Sequence, residues 1–171
     1  MGVFDKSKCD CCVCPMQCVL EQLVGVQNVT IAAPTFASVG VIINQVKNFI
    51  AFTSGGDIPI CQITGVATLD PTIPVNLKPI KKSNGECACC EGPIINVAKS
   101  LIGQNVEIEF ISIGDAVIVK LVDVGEGIVV GKVEDETDFF SSCAITRINP
   151  TNQQQFNGQS GFLGFYLASG G

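Results

Sequence analysis

Eight of the chain's ten cysteines crowd into two short stretches, CDCCVCPMQC at residues 9–18 and CACC at 87–90. Thiolate sulfur can ligate soft metals, cycle as a redox dithiol or close disulfides, and each use demands a different spacing. Cys9/Cys12 and Cys87/Cys90 each have the two-residue gap of a zinc half-site, and together they would supply four sulfurs. Thiolate binding of zinc or copper is therefore the alternative reading. A redox dithiol needs a lowered thiol pKa, as at a helix start. Cys14 stands just before a predicted helix, but the second cluster has Gly92 there. Disulfide crosslinking fits the pattern best. Cys11-Cys12 and Cys89-Cys90 are chain neighbours, which suit mutual disulfide geometry poorly, so their sulfurs are suited to two separate targets. Cys18 lies about 200° around the predicted helix from Met16, away from its apolar stripe. Crosslinking is assigned to Cys9, Cys11, Cys12, Cys14 and Cys18, with Cys87, Cys89 and Cys90 as further candidates. Cys61 and Cys143, in apolar strand-like sequence, read as buried core thiols.

The two clusters open two copies of one unit. CDCCVCPMQCVLEQLVG at 9–25 aligns with CACCEGPIINVAKSLIG at 87–103, QNVTI at 27–31 with QNVEI at 104–108, and CQIT at 61–64 with CAIT at 143–146. In each copy a proline, Pro15 or Pro93, marks a helix start. Met16, Val19, Leu20, Leu23 and Val24, and likewise Ile94, Val97, Ala98, Leu101 and Ile102, form an apolar helical stripe. Gly25 and Gly103 close the helices. Beyond them the period becomes two: NVEIEF places Val106, Ile108 and Phe110 on one face of a strand. AVIVKLVDV, a Gly125-Glu126-Gly127 turn, IVVGKVED and CAITRI follow, and copy one offers NVTIA, GVIINQV, a turn near Lys47-Asn48, FIAFT, the turn SGGD and IPICQITGV.

Composition narrows the chemistry. With no histidine, imidazole bases and Ser/His or Cys/His nucleophiles are excluded. No phosphate-cradling glycine loop, HExxH or GxSxG occurs, so the chain reads as no enzyme, without a cofactor. Pairs such as Glu107/Glu109 and Glu134/Asp135/Glu136 read as solvated strand faces and turns. Nine acidic residues between Asn105 and Asp138 face only Lys120 and Lys132, and formal net charge is −6. Such a surface repels nucleic acid. MGVFDKSKCDCC lacks the apolar run of a secretory signal and no long apolar span occurs, so cytoplasmic synthesis without a membrane anchor is expected.

A short helix, a glycine and a small bent antiparallel sheet, carried by LIGQNVEIEF, GDAVIVKLVDVGEGIVV, CAITRI and their first-copy counterparts, resemble the Sm-like small β-barrel. The resemblance implies a mainly β chain of two tandem barrels. The expected organisation is a Cys-rich arm at 1–14, a first barrel at 15–69, a Pro-rich linker with the second Cys cluster at 70–92, a second barrel at 93–149 and a Gly/Gln/Phe-rich tail at 150–171. The Sm-like family holds RNA through an Asp and Asn in one loop and an Arg-Gly pair in another. NQVKNFI offers Asn48 but no Asp, VDVGEGI no Asn, and Arg147 no following Gly, so nucleic-acid binding is not expected. The CxCC-like clusters and short β-rich units are also similar to cysteine-rich coat and exosporium proteins of endospore-forming bacteria. That similarity implies a self-assembling structural protein, a disulfide-crosslinked fibre, ring stack or layer. It would lie on the spore surface after mother-cell lysis, partnered by copies of itself and by other spore surface proteins. In the tail, GFLGFYLAS reads as a strand or anchor lying on a barrel or on a neighbouring molecule.

Overall fold

A computed structural model of the chain describes residues 13–70, 72–80, 92–114 and 116–151. Both copies begin alike. Helix α1 (Val13–Gln22) and helix α2 (Gly92–Ser100) carry Pro15 and Pro93 in their first turns, so each starts one or two residues before its proline. Three residues past each helix end, Gly25 (φ 83°) and Gly103 (φ 91°) adopt the left-handed conformation that glycine takes without penalty. Their N–H groups donate to the carbonyls of Ile43 (2.9 Å) and Leu121 (2.7 Å), which ties each helix exit to the same strand of its copy.

Copy one continues as β1 (Val29–Ala32), β2 (Ala37–Val41), β3 (Ile43–Lys47), β4 (Ile50–Thr53), β5 (Gly56–Pro59), a 3₁₀ turn at Ile60–Gln62 and β6 (Gly65–Thr68). Copy two gives β7 (Asn105–Phe110), β8 (Val117–Gly125), β9 (Ile128–Val133), β10 (Glu136–Ser141), a 3₁₀ turn at Ser142–Ala144 and β11 (Ile145–Pro150). β2 and β3 together match the single long β8. The break falls at Ile42, where Ser54 pins a bend: its Oγ accepts from the Ile42 N–H (3.0 Å) and its own N–H donates to the Ile42 carbonyl (3.0 Å). The β3–β4 hairpin turns through Asn48 and Phe49, both at positive φ, the conformation that matches strand twist.

The fold is mainly β and antiparallel. One eight-stranded sheet runs in the order β11-β7-β8-β9-β10-β6-β1-β2, and a second of three strands runs β3-β4-β5. The pairing among the described residues is open and closes no barrel. Within each copy the last strand pairs with the first, β6 with β1 and β11 with β7. The predicted alternation holds in β7, whose Val106, Ile108 and Phe110 are buried while the residues between are partly exposed. The long segments IPICQITGV and CAITRI are not single strands, because a 3₁₀ turn interrupts the first and opens the second.

Two apolar clusters form the core, and each draws on both copies. The first gathers Met16, Val19 and Leu20 of α1 and Leu23 just past it with strands of copy one, and includes Ile128, Val130 and Phe139 of copy two. The second centres on β7, β8 and α2 and takes in Ala32 and Ala67 of copy one. Residues 72–80 are packed down: Ile73, Val75 and Leu77 lie against the first cluster. Gln22 donates through Nε2 to the Asn76 carbonyl (3.0 Å) and accepts through Oε1 from the Asn76 N–H (2.8 Å). Further along, the Glu126 N–H donates to the Lys78 carbonyl (2.9 Å), fastening the connector to copy two.

Candidate assembly joint and cysteine sites

The copies meet edge to edge. β10 of copy two pairs antiparallel with β6 of copy one, with Thr137 opposite Thr68, Asp138 opposite Ala67, Phe139 opposite Val66 and Phe140 opposite Gly65. At the end of the joint the Ser141 N–H donates to the Thr64 carbonyl (3.0 Å). Phe139 and Val66 lie side by side in the first cluster, so the joint is sealed by apolar contact as well as by main-chain hydrogen bonds. Every residue of β10 is buried. Glu136, expected on a solvated face, is among them, paired with Val133 of β9.

Among the described residues, β5 pairs only with β4 and β11 only with β7. These are the repeat counterparts of the two strands that form the joint. Aligning 61–64 with 143–146 sets Asp57 in the place of Phe139, Pro59 in that of Ser141, Ile148 in that of Val66 and Arg147 in that of Gly65. The edge of β5 is thus the more guarded one. Asp57 is exposed and charged where Phe139 is buried and apolar. Pro59 has no N–H to give where Ser141 donates. On β11, the Arg147 guanidinium is paired with Glu109 and lies 3.8 Å from Glu107, both on the neighbouring β7.

The cysteines divide. Cys14 and Cys143 are each disulfide-bonded. Cys18 and Cys61 are free thiols. Cys18 is partly exposed on α1, where the Gln22 amide nitrogen donates to the Cys18 carbonyl (2.9 Å) and approaches its Sγ (3.7 Å). Cys61 and Cys143 are both exposed, which corrects their reading as buried core thiols. The cause is the 3₁₀ turn that replaces extended chain. With three residues per turn, Ile60 and Ile63 point inward while Cys61 and Gln62 face out, and Ser142 and Ile145 flank Cys143 in the same way. Cys9, Cys11, Cys12, Cys87, Cys89 and Cys90 lie outside the described residues, and with them the four-sulfur metal alternative. Among the described residues no group of three or more Cys, Asp or Glu side chains could hold a metal ion. Nor is any of their helices long and apolar enough to cross a membrane.

Sequence reasoning missed β10 and therefore the joint. The signal was present as FF at 139–140, two large apolar neighbours that a one-sided strand cannot bury together. No known protein family, curated protein or solved structure matches the chain.

Proposed function

We propose that the chain is a structural protein that assembles by repeating between molecules the joint it already makes within itself. One observation carries this reading: β10 and β6 are paired with each other, while their repeat counterparts β5 and β11 stand at sheet ends, each with a single neighbouring strand among the described residues. Setting β11 of one molecule against β5 of the next in the same register brings Ile148 opposite Asp57 and Arg147 opposite Ile58. Such a contact is heterologous, so copies add head to tail into a ring or a filament. Strand order supports the Sm-like likeness of each copy. Counted within a copy, the fifth strand pairs with the first and the fourth lies at the far end.

The same comparison supports a covalent second step. Without the Phe139 plug and the Ser141 donor, the joint between molecules is weaker than the one within, and positioned thiols make it permanent. Crosslinks would draw on the clustered cysteines at 9–18 and 87–90, each bond adding roughly 2–4 kcal/mol. Cys14 is already spent in a disulfide. The place for such a material is an oxidising exterior, a spore surface layer or appendage built from copies of itself and other surface proteins. Arg147, the one cation near the place of the Sm-like Arg-Gly pair, lies on β11 and is engaged by Glu109 and Glu107, which supports a role without nucleic acid.

Sedimentation and a denaturing gel with and without reductant test the proposal. Oligomers whose ladder collapses on reduction, carrying no zinc, are the expected result. A monomer with stoichiometric zinc would instead support the thiolate-metal alternative, and a reduced monomer without metal would remove both.

A further inference from the structure

Helices α1 and α2 hold the same place in the two repeats yet differ in cover. Met16, Val19 and Leu23 are 1%, 2% and 0% exposed, whereas their counterparts Ile94 and Leu101 are only partly buried and Val97 is 44% exposed. Beside α1 runs the segment that follows the last strand of copy one. Its alternate residues Ile73, Val75 and Leu77 pack against the cluster that contains this helix, and Asn76 is hydrogen-bonded twice to Gln22 of the helix. An extended chain with every second residue apolar is suited to this, since one side faces the helix and the other faces water.

In copy two the segment after the last strand is 152–171, outside the described residues. Its sequence repeats the pattern: in GFLGFYLAS, Leu163, Phe165 and Leu167 have the i, i+2, i+4 spacing of Ile73, Val75 and Leu77. The route is short, because α2 packs against β11, from whose end the segment departs. Twelve residues from Thr151 to Leu163 span up to about 40 Å when extended, against a helix about 14 Å long. We propose that Leu163, Phe165 and Leu167 lie in extended form across the Val97 face of α2 in the same chain, as the connector lies along α1. This placement is independent of the assembly reading and holds in a single molecule.

Tyr166 is the chain's one tyrosine and there is no tryptophan, so tyrosine emission reports on this segment alone. In the full chain at monomer-level dilution, Tyr166, on the water side of the docked segment, should show an emission anisotropy above that of a free peptide of residues 152–171, and amides 163–167 should exchange more slowly than in that peptide. Val97→Asp, at an already exposed position, should abolish both effects and lower the thermal midpoint no further than removal of 152–171 does. Removal of 152–171 should speed exchange in α2, a second readout that needs no folded tail. The proposal is overturned by exchange of amides 163–167 as fast as in the free peptide, or by slowed exchange that survives Val97→Asp. Protection that grows with protein concentration would place the segment on a second copy, and so would overturn it too.

Discussion

Phe139 and Phe140 are neighbours on β10, yet they are buried in different cores. Phe139, 3% exposed, sits in the cluster built around α1 of the first repeat, while Phe140, fully buried, packs in the second against Phe110, ring centres 5.2 Å apart and edge to face at 78°. Adjacent strand residues point to opposite sides of a sheet, so one dipeptide anchors both halves of the molecule.

Phe139→Ala therefore empties a site in the first core from a residue of the second repeat. The expected loss is about 3–5 kcal/mol in urea unfolding, with both repeats still unfolding in one transition. Two separated transitions in the unaltered chain would contradict a shared core.

Gly131→Ala tests a different closeness. A Cβ at this position on β9 would lie 2.4 Å from Val119 Cγ2 and 2.6 Å from Val119 Cβ on β8. The expected cost is about 1–3 kcal/mol, and Val119→Ala in the same chain should recover part of it, so that the two substitutions are non-additive.

The connector contains a titration that can be followed directly. Asp70 Oδ1 accepts from the Thr72 hydroxyl (2.5 Å) and the Thr72 N–H (2.9 Å), and these bonds, the hydroxyl's first, hold its carboxyl below the usual aspartate value. A lowered carboxylate pKa favours the folded turn above the unfolded-state value, and the contribution disappears as pH falls through the folded-state value. Thr72→Val keeps the N–H and removes the hydroxyl. Carbon-detected titration should show the Asp70 pKa rising towards the ordinary value; an unchanged midpoint would remove the hydroxyl as the cause.

Pro59→Ser gives the edge of β5 the donor that Ser141 supplies at the internal joint. Under the proposed assembly one added hydrogen bond, worth about 1 kcal/mol, should tighten association about fivefold by sedimentation equilibrium. Asp57→Phe should act in the same direction. Unchanged association in both variants would mean that β5 is not the contacting edge.

Much of this architecture could be read from residue order alone, where a strand keeps one wet face. NVEIEF declares its inward residues because Glu107 and Glu109 remain at the surface, and Gly25 and Gly103 announce the two helix exits. ETDFFS declares nothing, since a strand covered on both faces and flanked on both edges loses the alternation that marks a strand. Its burial depends on β6, some seventy residues away in the chain, and no local pattern encodes that distance. The exposed Cys61 and Cys143 were hidden for a more local reason: a single 3₁₀ turn shifts the phase of an apolar run by one position. Of the crosslinking set, Cys14 and Cys18 alone fall among the described residues.

A strand that belongs chemically to both halves makes them poor at living apart. Severing the main chain within 81–91 leaves an amino-terminal piece whose hydrophobic interior lacks the Phe139 ring and a carboxyl-terminal piece with that ring stranded in water. Each fragment is thus the other's missing component, and the two are suited to reconstitution on mixing, a split reporter already present in the natural sequence.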